Sequence, residues 1–150
     1  MTWPPPKPEN STARASAETG TTLSGRVSAV SFTIPGQLPS MKNRRRQLKN
    51  RKTGKRFSAK SEEAVKYKED FILAVPMECR NLRLGGPATP LRAIVTVFYS
   101  SWRSDLDCGL IYDALQAAGV IANDRFVREH HEYAHVDPQN PRVEILIEEI

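Results

Sequence analysis

Residues 91–101 read LRAIVTVFYSS and decide the fold, because they are the strongest strand signal in the chain. Their β-branched and aromatic side chains predict a well-buried strand. The acidic pair Asp105 and Asp107 follows directly. If the extended conformation continues, the two carboxylates point to the same side, about 6.6 Å apart along the backbone at about 3.3 Å per residue. Leu106 between them would face the core and hold the pair in place.

Elements on both sides of this strand can be predicted from periodicity. A helical stripe of apolar residues over 110–118 is closed by Gly119, and strands are predicted at 127–136 and 142–150. Upstream, a strand is predicted at 27–34, and a helix follows that is capped by Ser58 or Ser61 and ends at Pro76. This order mixes helices and strands without a regular βαβ series. It predicts an α+β fold, a single domain in which two main helices pack on a mixed β-sheet.

The composition indicates one ordinary core, because 150 residues with 39% hydrophobic and 26% charged side chains are too few for two comfortable domains. Residues 1–26 are rich in Pro, Ser, Thr, Ala and Gly and are predicted to form a disordered tail, which leaves residues 27–150 as the domain. No segment approaches the roughly 20 apolar residues of a membrane span, and no secretory signal is visible. Cys79 and Cys108 form no CxxC pair, so we expect no structural zinc and a soluble, cytoplasmic protein.

The charges are distributed unevenly along the chain. Residues 42–60 hold ten Lys or Arg and no acid, whereas residues 105–150 hold ten Asp or Glu against three Arg. The first segment is predicted to form an irregular hairpin or a flexible arm. It either binds a polyanion or is a solvated loop, and DNA contact is the favoured interpretation. The predicted DNA contacts in this arm are Arg44, Arg45, Arg46, Lys49, Arg51 and Lys52.

A third carboxylate, Asp124, follows the second helix and returns to the acidic pair if that helix packs antiparallel to the strand before it. Such carboxylates suit Mg²⁺, with Mn²⁺ as a second option, and metal-bound water serves phosphodiester hydrolysis. An Asp-x-Asp pair alone more often serves as a turn or a helix cap. Together with the strand before it and the cations upstream, it favours a metal-assisted nuclease.

Two other groups of side chains have an alternative structural explanation. The histidines His130, His131 and His135 suggest zinc, but exposed strand polarity explains such spacing more often. Trp102 either stacks on a base or caps the core, and we expect the second.

Over about residues 30–150 the sequence resembles the RusA family of endonucleases. The resemblance implies a homodimeric, Mg²⁺-dependent resolvase of bacteria and phages that cleaves Holliday junctions in DNA recombination and repair. It implies that Asp105, Asp107 and Asp124 are the catalytic metal ligands. The motifs that carry the resemblance are Pro39-Ser40 with Asn43, Asp105-Leu106-Asp107, Asp113-Ala114-Leu115, Gly119-Val120 and Asn123-Asp124-Arg125.

The sequence departs from the family pattern at the start of the second helix. Cys108 stands where the family has Asn, Ile111 stands where it has Lys, and Asp113 follows Asp107 by six residues and not by eight. Either another cation, such as Arg103, Arg125 or one from the arm, stabilises the transition state, or the metal acts alone. The alternatives are an inactive member of the family and a non-catalytic, basic nucleic-acid-binding protein.

Overall fold

The computed structural model of this protein describes residues 17–21, 25–40 and 45–150. It shows a mixed β-sheet with helices packed on it. The main sheet has five strands in the order β1-β2-β7-β5-β6, and β3 pairs with β4 in a separate hairpin. The predicted α+β fold is therefore confirmed. The elements of the described residues are β1 (Glu18–Thr21), β2 (Val27–Pro35), β3 (Arg45–Lys49), β4 (Arg56–Lys60), α1 (Glu62–Ala74), β5 (Leu91–Tyr99), α2 (Gly109–Ala117), β6 (Val127–Val136) and β7 (Arg142–Glu149).

Strand β5 lies between β7 and β6 and buries every second residue. Its buried side chains are Leu91, Ala93, Val95, Val97 and Tyr99. Successive side chains of a strand point to opposite faces, so these five share the face on which the core forms. The residues between them are half-buried on the opposite face.

Strand β6 runs parallel to β5, whereas the other neighbouring pairs of the main sheet are antiparallel. Parallel neighbours need a crossover connection, and α2 supplies it. The register begins with Leu91 opposite Val127 and shifts before Arg92 pairs with Glu129. Because of this order, Asp124 lies beside the start of β5, while Asp105 follows the end of β5.

Both helices begin and end where local sequence signals place them. The Ser61 hydroxyl accepts the Ala64 N–H at 3.2 Å, so Ser61 is the cap of α1 and Ser58 belongs to β4. Gly119 ends α2 with φ +75°, and a Cβ there would lie 2.9 Å from the Asn81 Oδ1 atom. No helix of the described residues is long and apolar enough to span a membrane.

The predicted disordered tail, residues 1–26, needs one correction. Residues 18–21 form β1, which pairs antiparallel with β2 although all four of its residues are exposed. Backbone hydrogen bonds to a neighbouring strand do not require apolar side chains, so composition alone gave no sign of this strand. Arg26 also has a fixed contact, an ion pair with Glu149 of β7. Residues 1–16 and 22–24 lie outside the described residues.

Candidate functional site

The loop after β5 places the acidic pair differently from the sequence expectation. The chain turns at residues 101–104, so the extended conformation ends before Asp105. The backbone carbonyl of Asp105 accepts the hydroxyl of buried Tyr99 at 3.2 Å, while its side chain belongs to an exposed residue. Leu106 packs against the core as predicted. The condition for two carboxylates projecting side by side from a strand is therefore not met.

Asp107 lies at the beginning of α2. Its Oδ1 atom accepts the backbone N–H of Gly109 at 3.0 Å, and the carboxylate thus binds one of the N–H groups that a helix start leaves without an intrahelical partner. A negative charge at this end of the helix is also favourable for the helix dipole. The N-cap residue itself is Cys108, so Asp107 supports the helix start from one residue earlier, through a side-chain turn of the kind that sequence reasoning kept, beside helix capping, as the alternative to metal binding.

A shallow cleft of about 490 Å³ lies between α2 and the beginning of β6. Two carboxylates line it, Asp113 from α2 and Asp124 from the 3₁₀ turn Asp124–Phe126. The arginines Arg125 and Arg128 line it as well. Gly109, the residue bound by Asp107, is another part of its wall, whereas Asp107 itself does not line the cleft.

One hydrogen bond joins the 3₁₀ turn to the helix, and a second one caps the turn itself. The N–H of Asp124 donates to the Gln116 Oε1 atom of α2 at 3.1 Å. The Asn123 side chain caps the turn by accepting the Arg125 N–H at 3.0 Å. These contacts fix the backbone on which Asp124 stands, and they keep it beside Asp113 on the exposed side of α2.

The deep side of the cleft is formed by an aromatic contact. The rings of Tyr112 and His130 meet edge to face with centroids 4.9 Å apart. Burial raises the pKa of Tyr112 above its ordinary range, and the charge of Glu132 adds to the effect, so the hydroxyl stays neutral. The Nε2 atom of His130 lies 3.2 Å from the Val127 carbonyl oxygen, which holds the ring in place. His130 therefore acts as a wall of the cleft.

The other two histidines lie on the opposite face of the sheet, as strand alternation requires. His131 is 3.6 Å from Glu129, and His135 stacks on Phe98 with ring centroids 5.4 Å apart. The three histidines thus do not converge. Among the described residues, no three His, Cys, Asp or Glu side chains are grouped so that they could hold a metal ion.

The position of the family lysine is part of the core. Ile111 is 0% exposed, because it lies on the face of α2 that packs against the sheet. Arg125, predicted as a substitute cation, does line the cleft, with its guanidinium carbon 4.9 Å from the centre of the Phe126 ring. Arg103 lies in the exposed turn after β5.

Sequence reasoning did not select Asp113, Arg128 or His130 as site residues, although Asp113 belongs to a quoted motif. Helical spacing was a usable signal, since Asp113 and Gln116 are three residues apart and share a face of α2. Trp102 was expected to cap the core, and that expectation is wrong, because Trp102 is 71% exposed in the turn after β5.

The basic arm forms the hairpin β3–β4, the more ordered of the two predicted forms. Lys49, Arg51 and Lys52 are exposed on it, and Arg46 forms an ion pair of 3.1 Å with Glu62 at the start of α1. Arg44 and Asn43 lie outside the described residues, and of Arg45 only the backbone is described.

Comparison with protein-family models finds no family that matches the chain, and comparison with curated proteins finds no match either.

Proposed function

We propose that this chain is a Mg²⁺-dependent endonuclease of the RusA type, which hydrolyses phosphodiester bonds of four-way DNA junctions in the cytoplasm during recombination and repair. The observation that carries the proposal is the cleft beside α2, where Asp113 and Asp124 lie together with Arg125 and Arg128. Carboxylates next to guanidinium groups in an open cleft suit a phosphate group whose charge is bridged by a divalent cation.

The two carboxylates of the cleft suit a magnesium ion that keeps most of its waters. Mg²⁺ is usually bound through one or two carboxylates together with waters and substrate phosphate oxygens, and it does not need a cage of three protein ligands. Asp124 and Asp113 are the pair that the cleft offers. Asp107, which binds the lining residue Gly109, and Asp105 in the preceding loop are the further ligands that the family resemblance implies. When bound, Mg²⁺ or Mn²⁺ supplies an activated water and neutralises the leaving oxygen.

The other side chains of the cleft have roles that do not involve the metal. Arg125 and Arg128 bind phosphate oxygens, and guanidinium groups do this with two parallel hydrogen bonds. Arg125 is the cation that replaces the missing lysine, because Ile111 at the position of that lysine is buried. His130 does not serve as a base, since its Nε2 contacts the Val127 carbonyl and its Nδ1 is 3.9 Å from Glu132. By the family resemblance, a homodimer supplies two such clefts for two opposed strands.

A second function is favoured by the hydrogen bond between Asp107 and Gly109. A carboxylate that caps a helix needs no metal, and with Ile111 in the core the chain would then be a non-catalytic protein that binds branched DNA through its hairpin. The two functions differ in one property, cleavage in the presence of a divalent cation.

The test is a time course on a synthetic four-way junction with and without Mg²⁺, using wild type and the variants Asp124→Asn and Asp113→Asn. We expect cleavage only with the cation, and a loss of at least about 10- to 100-fold in each variant, since removing even the outer partners of metal ligands costs this much. Asp70→Asn, which changes an exposed carboxylate of α1, is the matched control and should cut like wild type. A wild-type protein that binds the junction and never cuts it would establish the non-catalytic function.

A further inference from the structure

The β3–β4 hairpin has two chemically different faces. The strands pair with Leu48 opposite Phe57 and Lys49 opposite Arg56. Residues directly opposite each other in a sheet share a face, and adjacent residues lie on opposite faces. One face, here called the apolar face, therefore carries Leu48 and Phe57, followed by Ala59 and, opposite it, Arg46, whose guanidinium pairs with Glu62. The cationic face carries Lys49 and Arg56, with Gln47 and Ser58 beside them.

Phe57 is an exposed aromatic residue in a strongly basic segment. Its side chain is 47% exposed, and Phe57 and Leu48 form a cross-strand pair that does not belong to the main core. Exposed single hydrophobic residues are common on protein surfaces. Here, however, the ring lies within residues 45–60, which hold eight Lys or Arg and no acid.

The turn of the hairpin brings further cations close to this ring. Asn50 and Lys55 close the turn through a backbone hydrogen bond of 2.8 Å, and the Asn50 side chain accepts the Lys52 N–H at 2.9 Å. Gly54 takes φ +69°, a left-handed conformation that this turn requires. The tip is thus a defined structure, and its exposed cations Arg51 and Lys52 follow Leu48 by three and four residues.

We propose that this hairpin distinguishes branched from linear DNA, with the Phe57 ring stacking on a base pair exposed at the branch point while the cationic face and the turn contact phosphates. The proposal rests on the proposed action on junction DNA. Aromatic rings stack on bases irrespective of sequence, and cations beside them follow the backbone. In a continuous duplex, inserting a ring means unstacking base pairs, which costs free energy at each step. At a branch point the stack is already interrupted, so the same ring binds with less cost.

The experiment compares the affinity of Phe57→Leu and wild type for a four-way junction and for a linear duplex of the same sequence, in EDTA so that no cleavage occurs. We expect the variant to bind the junction about 10-fold more weakly, the low end of what base–aromatic stacking contributes, and the linear duplex unchanged. A 2-aminopurine base at the branch point should lose fluorescence with wild type and not with the variant. Equal weakening on both DNAs, or no weakening, would overturn the proposal.

Three control variants separate stacking from a structural role of the ring. Phe57→Trp keeps an aromatic ring and should retain the preference for the junction. Leu48→Ala removes the cross-strand partner and keeps the ring, so a loss as selective as that of Phe57→Leu would assign both residues to hairpin stability and contradict stacking. Tyr133→Leu removes an aromatic residue of similar exposure, 50%, from β6 and should leave both affinities unchanged.

The outcome for this inference is separable from the outcome for the enzyme. A protein that prefers junctions through Phe57 but never cuts them with Mg²⁺ supports the hairpin role and refutes catalysis. A ring among cations would also suit an anionic membrane surface. Binding to phosphatidylserine vesicles that depends on Phe57, with junction affinity independent of it, would overturn the DNA role.

Discussion

Asp107 is the residue for which a structural and a chemical role are in direct competition. Its Oδ1 atom accepts the Gly109 N–H, and Gly109 lines the cleft with Asp113 and Asp124. Asparagine has the same shape and keeps an Oδ1 acceptor, but it carries no negative charge. The variant Asp107→Asn therefore separates the capping role from the electrostatic one.

We expect Asp107→Asn to fold normally and to lose cleavage by about 10- to 100-fold, because a site that attracts Mg²⁺ loses one charge. Junction binding in EDTA should stay equal or become tighter, since one repulsive charge facing the phosphates is gone. The measurements are a gel shift in EDTA beside a Mg²⁺ time course. Asp107→Ala, which also loses the hydrogen bond to the Gly109 N–H, should cost about 1 kcal/mol of stability in addition. Near wild-type cutting by the asparagine variant would remove Asp107 from the catalytic set.

The sequence predicted which residues of this region are buried, but it did not predict the conformation of the loop that carries the acidic pair. The stripe that includes Ile111 follows helical spacing, and this residue is buried as predicted. The sequence predicted that Asp105 and Asp107 continue the extended strand. The strand ends earlier because of two hydrogen bonds that local propensity does not reveal. The Ser100 N–H donates to the Gln37 Oε1 atom at 2.9 Å, and the Tyr99 hydroxyl bonds to the Asp105 carbonyl. Neither contact follows from local propensity.

At the scale of elements, we expect the cations of the hairpin to contribute to DNA affinity irrespective of DNA shape. Reversing two charges of the cationic face, with Lys49→Glu and Arg56→Glu, should weaken binding to branched and linear DNA alike, because both DNAs present the same phosphate backbone and phosphate contacts position the protein without reading sequence. Losing two such contacts should lower the slope of log affinity against log salt by about 2. The measurement is a salt titration of fluorescence anisotropy.

The matched control for this pair reverses two charges on α1, with Lys66→Glu and Lys68→Glu. It changes the net charge equally, so it should show only a small, non-specific weakening. If the α1 variant weakened binding as much as the hairpin variant, net charge and not the hairpin would explain the effect.

Most elements were predictable because their signals are local. Ser61 and Pro76 bound α1, Gly119 ends α2, and alternation marks β2, β6 and β7. Strand β1 was missed because it has no apolar face, and only its partner β2 makes it a strand. The sequence suggested a hairpin without distinguishing it from a flexible arm, since half of its strand residues are basic and only Leu48 and Phe57 are large and apolar.

At the scale of the whole molecule, Arg92 links three strands on the face of the sheet opposite the core. It lies on β5 and forms ion pairs with Glu129 of β6 and with Glu148 of β7, the second at 2.9 Å. The side chains are partly exposed, so each pair contributes modestly. Arg92 lowers the pKa of Glu129, and His131 adds to this effect.

The lowered pKa of Glu129 has a definite consequence for stability. A carboxylate with a depressed pKa in the folded state contributes stability above its ordinary pKa, here 4.5, and that contribution is lost as the pH falls through the folded-state value. We expect wild type to have a higher Tm than Arg92→Met at about pH 7 and the difference to shrink as the pH falls below the ordinary value of 4.5. Thermal unfolding across this pH range tests it. A constant difference would show that Arg92 acts through packing of its aliphatic part.

The topology could not be read from the sequence. A mixed sheet followed from the order of elements, but the arrangement β1-β2-β7-β5-β6 depends on pairings between distant segments, such as β2 with β7. Only the arrangement of the whole sheet puts Asp124 beside the start of β5 and next to Asp113, and for that reason the cleft was not foreseen.

The crossover from β5 through α2 to β6 contains every candidate acid, from Asp105 to Asp124, in one continuous segment. An α-helix turns by about 100° per residue, so inserting or deleting a single residue before Asp113 would rotate its carboxylate away from Asp124. Changes of length in this segment should therefore abolish the site even where the fold tolerates them. The turn of the β3–β4 hairpin, which lies far from these acids in sequence, is where loop grafts or added residues should leave the cleft intact.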